Sequence, residues 1–317
     1  MTVSALARLG LRAAEPAAPA PRTSASQSQT EEAFGFKWAK RDTYESPAVQ
    51  EAGQRWLFER YCGGDPGVLD GWLAGGPKVI VDAGCGAGFS ALLFFGERLR
   101  AHHYLGVDIS DAVDVARARF AEAGLPGDFL KTDVLAAPLP DGSVDFIFSE
   151  GVLHHTDSTE GALKHLARKL APGGRFAFYV YVTKGPIREF TDDFVREHLR
   201  PMSDEQAWRE LEPLTKLGRA LGELGAVVDV PEDIPFLGIR AGRIDVQRLF
   251  YWHVCKAYYR PDWTLDEMNH VNFDWFRPLN CHRQTPEQVR RWCEEAGLTV
   301  ERLDVQEAGI TVVARRG

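Results

Sequence analysis

The chain has 317 residues, with 37 Lys and Arg against 45 Asp and Glu for a formal net charge of −8, and 44% of it is apolar. That length predicts one decorated domain or two small ones, and the acidic balance opposes the attraction on which nucleic-acid binding rests, so a polynucleotide partner is disfavoured. Cys62, Cys85, Cys255, Cys281 and Cys293 are never spaced C-x-x-C, which argues against a disulfide scaffold or zinc ribbon and for a reducing, cytoplasmic setting; no apolar run approaches the ~18 residues of a membrane span.

Residues 1–30 are rich in Ala, Pro, Ser and Gln and carry Arg8, Arg12 and Arg22 against Glu15 alone, a composition that predicts a disordered tail. Arg8 and Arg12 interrupt the only apolar candidate for a signal sequence. Residues 31–76 read as a helical, aromatic segment: Phe34, Phe36, Trp38 and Tyr44 cluster ahead of an amphipathic stretch from Val49 to Tyr61, and such rings want burial. From 77 to 185 short β-branched runs alternate with amphipathic helices, the signature of βαβ units and a parallel sheet. Strands are predicted at 78–83, 103–109, 127–133, 144–150 and 175–182. Helices are predicted to open at Phe89, after Ser110 and at Thr159, the last being stopped by Pro172, Gly173 and Gly174. Residues 186–280 read as a helical insertion dense in aromatic side chains. The α/β text returns over 281–317, where Thr285, Pro286 and Gln288 open a capped helix and LTVERLDV and GITVVAR form a final hairpin.

The strongest functional signal is VIVDAGCGAGFS, 79–90, a β-branched strand ending in Asp82 and followed by Gly84, Gly86 and Gly88 at alternate positions. Glycines there let the backbone turn sharply and approach a ligand, and a following helix directs unpaired N–H groups at it. Gly86 to Ala91 also spells G-x-G-x-x-A, with Asp108 twenty residues beyond Gly88, formally a dinucleotide fingerprint; a nicotinamide oxidoreductase therefore stays open on the loop alone. An acid two positions ahead of the first glycine, however, repels phosphates and suits a cationic amino-acid end.

With that acid the loop reads D-x-G-x-G-x-G and resembles motif I of the class I S-adenosyl-L-methionine (SAM) dependent methyltransferases. The resemblance continues through YLGVDIS, KTDV, SVDFIFSEGVLHHT and LAPGGRFAFYV and resumes at the terminal hairpin. It implies an α/β, Rossmann-like, doubly wound and mostly parallel seven-stranded sheet, with the insertion as a cap between the fifth and sixth strands. It also implies SAM as cofactor and S-adenosyl-L-homocysteine (SAH) as product. Carried over residue by residue, the resemblance sets Gly84, Gly86 and Gly88 around the methionine portion and Asp82 near its ammonium, directly or through water. Asp108 would take the ribose hydroxyls, Ile109 would cover the adenine, Asp133 and the Val134 backbone would read its edge, and Ser149 and Glu150 would border the sulfonium.

His154 and His155 follow the fourth strand, and either could take a proton from the acceptor at neutral pH; without a third clustered ligand no metal site is expected. The 33–62 segment and the insertion are expected to build the acceptor pocket. Tyr179 and Tyr181 share one face of the fifth strand, and Arg188, Arg240, Arg243 and Arg248 are candidates for a substrate carboxylate or phosphate, with solvation the default for each. The function read from the sequence is methyl transfer by in-line displacement to an oxygen or nitrogen of a small-molecule acceptor, by a monomer or homodimer with no membrane attachment. Transfer of another group from SAM, methylation of RNA or protein, and a non-catalytic SAM-binding subunit stand as its rivals.

Overall fold

The computed structural model describes residues 4–11 and 24–317. Nine strands occur among them: β1 (Val79–Ala83), β2 (His103–Asp108), β3 (Asp128–Lys131), β4 (Val144–Glu150), β5 (Leu170–Tyr181), β6 (Val227–Val230), β7 (Gly242–Asp245), β8 (Leu298–Val305) and β9 (Gly309–Arg316). Seven form one sheet in the order β3-β2-β1-β4-β5-β9-β8, while β6 and β7 pair as a separate hairpin. β1 to β5 are parallel to one another and β9 runs antiparallel between β5 and β8. The strand order reverses between β1 and β4. Ligands of open α/β sheets bind at the carboxyl ends of the strands flanking such a switch.

The continuous apolar text of the central strands follows from burial on both faces. Successive residues of β1 and β4 alternate between two cores: Val81 and Ile147 pack with Leu163, Leu166 and Val289 from the helices Thr159–Lys169 and Pro286–Glu295. Ile80 and Phe148 face the other way, toward Phe94, Tyr61 and Phe273. Phe94 and Phe148 stack at 5.3 Å between ring centroids. The observed strands match the predicted positions to within a few residues, except that β5 begins at Leu170. The Pro-Gly-Gly step expected only to stop a helix is absorbed by a register shift against β4 between Val144 and Phe146.

Two parts of the expected disordered tail are helical and packed. Ala5–Arg8 forms a short helix whose Ala5 and Leu6, with Leu9 just beyond it, are buried in the core, because three apolar residues fall on one stripe. Ser4 Oγ and the Leu6 amide both donate to Asp128 Oδ2, at 2.5 and 3.0 Å. A second helix, Ala25–Ala39, starts six residues before the helical segment expected from 31, with Ser24 accepting from the Gln27 amide as its cap. The rest of the expected tail, 12–23, lies outside the described residues.

The insertion holds the helices Pro186–Leu199, Asp204–Glu223, Val246–His253 and Leu265–Phe276. The β6–β7 hairpin was not anticipated: its strands are short, largely exposed and joined by a long loop without a tight-turn signal.

Candidate active site

A cavity of about 710 Å³ opens at the carboxyl edge of the sheet, within the range of roughly 300 to 1,000 Å³ typical of small-molecule sites. Three parts of the chain enclose it: the strand ends of the sheet, the helices Ala25–Ala39 and Pro47–Cys62, and the insertion. Gly84, Asp108, Ile109, Asp133, Val134 and Glu150 line its sheet side, all expected from the sequence.

Gly84 leaves β1 at φ +86°, and its amide donates to the Val107 carbonyl at 2.7 Å. A Cβ there would lie 2.3 Å from both methyl groups of Val152, so only glycine fits. Gly86, at φ +49°, donates its amide to Asp108 Oδ2 at 2.9 Å and passes beneath Trp38, whose Nε1 would sit 2.6 Å from an added Cβ. Gly86 and Gly88 do not line the cavity; they shape the loop from behind, Gly88 against Phe120. Arg119 secures the same loop by donating to the Ala87 carbonyl at 2.9 Å.

Asp108 ends β2 with its carboxylate already oriented: beside the Gly86 bond, it accepts from the amide and hydroxyl of Ser110 at 2.9 and 2.7 Å. Asp133 accepts from the Leu135 amide at 2.8 Å, and burial raises its pKa against that bond. Glu150 ends β4, held by Arg60 Nη1 at 2.5 Å and by the Tyr61 hydroxyl. Burial raises its pKa, opposed chiefly by Arg60.

Besides Gly86 and Gly88, three expected site residues lie outside the cavity lining. Asp82 is buried away from the cavity, accepting from the Tyr104 hydroxyl at 2.8 Å. Burial above all pushes it up to about 7, with Asp108 and Glu150 adding to the rise. Ser149 donates to the Ala83 carbonyl at 2.8 Å, tying β4 to β1 rather than bordering a ligand. His154 is fully buried against Tyr181, 3.7 Å between ring centroids, and does not reach the cavity.

Its neighbour does. His155 lines the cavity, and its Nδ1 lies 2.6 Å from the Asn280 carbonyl, which as an acceptor requires the proton on Nδ1 and leaves the Nε2 lone pair free. Nε2 has no partner among the described residues. Burial lowers the imidazole pKa to about 4, partly offset by Asp274 and the Asn280 bond, so the ring is neutral at physiological pH.

Four further residues escaped the sequence reading. Arg60, buried between the rings of Trp56 and Tyr179 at 3.4 and 3.6 Å, orients Glu150. Lys37 pairs with Asp274 at 2.5 Å, and Asp274 also accepts from Tyr181 at 3.1 Å. Burial opposes ionisation of Asp274, yet Lys37, His155 and Lys256 together hold its carboxyl below the usual range. Lys256 itself lines the cavity. Of the candidate arginines, Arg188 is buried and lines the cavity with Arg248, whereas Arg240 and Arg243 are exposed. The only available signal was the lysines' setting in the aromatic runs FGFKW and FYWHVCKAYY.

A seven-stranded sheet of this order, with a glycine cradle after β1 and carboxylates at the ends of the next strands, has the fold of the class I methyltransferases. Residues 81–178 match the family described as a methyltransferase domain. An uncharacterized methyltransferase of Mycobacterium tuberculosis is 34% identical over 116 residues, 37% of this chain and 57% of that protein. The demethylmenaquinone methyltransferase of Thermus thermophilus is 38% identical over 109 residues, 34% of this chain and 49% of that one. The chain thus spans about half the length of the curated relatives it matches. Among solved structures, the magnesium protoporphyrin IX methyltransferase of Synechocystis PCC 6803 with bound SAH is 16% identical at a TM-score of 0.49, covering 92% of this chain and all of that one.

Among the described residues no group of His, Cys, Asp and Glu is placed to hold a metal ion, and no helix is long and apolar enough to cross a membrane.

Proposed function

We propose that the chain transfers a methyl group from SAM to an oxygen or nitrogen of a small-molecule acceptor. The observation that carries this reading is the make-up of one enclosed cavity: the Gly84 cradle and three carboxylates on its sheet side, and aromatic rings from the N-terminal helices and the insertion opposite. The donor set fits the cofactor. A carboxylate offers about four acceptor sites; at Asp108 three are taken by protein groups, so a ribose hydroxyl can use the fourth and a second the one that Ser110 vacates by rotating. Asp133 and the Val134 amide supply an acceptor and a donor to an adenine edge, and Glu150, fixed by Arg60, offers negative charge at the β4 end.

Bound SAM supplies an electrophilic methyl group on a sulfonium. The protein's part is to hold an acceptor in line with it, and positioning alone can be worth several kcal/mol, up to about 7 to 11 in well-oriented systems. His155 Nε2 takes the proton of a hydroxyl or ammonium acceptor, with Nδ1–H anchored on Asn280. The aromatic lining and the cavity volume of about 710 Å³ favour a small acceptor over RNA or protein.

Incubation with methyl-labelled SAM and separate pools of small molecules, RNA and protein tests this by mass spectrometry. Label is expected on oxygen or nitrogen of a small molecule. Label found only in RNA or protein, or SAM consumed without methyl transfer, would overturn the reading.

A further inference from the structure

We propose that the insertion end of the cavity binds the acceptor by a carboxylate, seated on the ammonium group of Lys256, with the acceptor's ring system lying against Tyr181 and Trp275. This rests on the reading of the cavity as a methyl-acceptor site.

Lys256 is 6% exposed, lines the cavity and makes no hydrogen bond or ion pair among the described residues; its ammonium rests 4.6 Å over the Trp275 ring. Every other cation at this end is already engaged. Lys184 donates to the carbonyls of Glu307 and Ala308. Arg188 binds Asp192 at 2.8 Å and the Tyr251 carbonyl, Arg248 the Tyr259 carbonyl at 3.0 Å, and Arg260 binds Asp262 at 3.1 Å. The nearby acid Asp274 is likewise taken, by Lys37 and Tyr181. A buried ammonium with no hydrogen-bonded anion is costly, and one open positive charge matches a monoanionic carboxylate better than a dianionic phosphate.

The seat is rigid. Gln247 Nε2 donates to the Ala257 carbonyl at 2.7 Å and Asn272 Oδ1 accepts from the Tyr258 amide at 3.0 Å, so two helices pin the backbone next to Lys256. Asn272 is itself fixed by donating to Thr215 at 2.8 Å. Two rings connect this point to the proton acceptor: His155 lies 5.5 Å from Tyr181, and Tyr181 lies 4.3 Å from Trp275.

Burial lowers the Lys256 pKa to about 7. The charged groups facing it are Asp274 on one helix, Arg188 and Asp192 on another, and Lys184 after β5, with the Cys281 thiol beside them. A bound carboxylate would restore its charge, so binding at pH 7 takes up protons.

Calorimetric titration of the full chain with 2-naphthoate and neutral 2-naphthamide, with and without SAH, tests the seat. Naphthoate is expected to bind about tenfold or more tightly than the amide, with proton uptake read from buffers of different ionisation heat. Lys256→Met should abolish that preference and the uptake while leaving SAH affinity unchanged. Equal binding of the two probes, or a preference that survives Lys256→Met, overturns the proposal. Should the variant not fold, the native preference decides: it must fall as pH rises from 7 to 9, and a pH-independent preference overturns the seat. Failure of SAH to bind while the naphthoate preference holds would instead sink the cofactor assignment.

Discussion

His155 and His154 are adjacent and chemically identical, yet only His155 lines the cavity. The short turn over Leu153–His155 sends the first ring into the core against Tyr181 and the second to the cavity. Their composition could not decide this; the backbone of the turn and the Asn280 carbonyl, 125 residues away, do. His155→Ala is expected to lower kcat by about a hundredfold, the lower end of general-base contributions, with little change in SAM affinity. Because the imidazole titrates near 4, kcat of the native chain stays level from neutrality down to about that pH and falls below it. A fully active variant would return His155 to a role in fixing the loop.

At the scale of elements, the glycine loop was legible and the ion pairs were not. The loop announces itself because a sharp exit from β1 needs residues with no Cβ at successive local positions. Gly84→Ala puts a Cβ 2.3 Å from the Val152 methyl groups at a positive φ, costing about 1 to 3 kcal/mol of backbone strain alone. A lowered melting temperature and loss of SAM binding are expected, with stability partly regained in Gly84→Ala/Val152→Ala; unimpaired binding in the single variant would contradict the cradle. Arg60 and Lys37, in contrast, find Glu150 and Asp274 across 90 and 237 residues, and no local pattern marks such partners. Asp82 shows the converse: its place in the motif was legible, but the Tyr104 hydroxyl that holds it behind the cavity wall was not. The strands read well because burial on both faces forces a continuous apolar text; the β6–β7 hairpin, exposed on the insertion, carries no such constraint.

The whole molecule buries several imidazoles in this core and its cap. His154, His155 and His270 all titrate below the usual histidine value, mainly through burial, His155 near 4 and His270 near 3. Below about pH 6.5 the unfolded chain binds protons at these rings that the folded chain does not, so stability is lost as pH falls from there toward 4. Asp82, raised to about 7, opposes this by binding its proton in the folded state, as do Asp133 and Glu150, but His165, likewise lowered to about 4, and His102 add to the imidazole side. The melting temperature should therefore decline between pH 6.5 and 4.5, and a flat profile would contradict the buried neutral rings. The −8 charge gains a local meaning at this scale as well: acids gather where a cationic cofactor is proposed, and Lys256 stands open at the other end of the same cavity. Calorimetric titration of the intact chain and of Asp108→Ala with SAM tests this arrangement most directly. One site in the native chain, weakened about ten- to a hundredfold or more by loss of charged hydrogen bonds in the variant, is the expected result; equal affinity in the two proteins, or no SAM binding in the native chain, would contradict it.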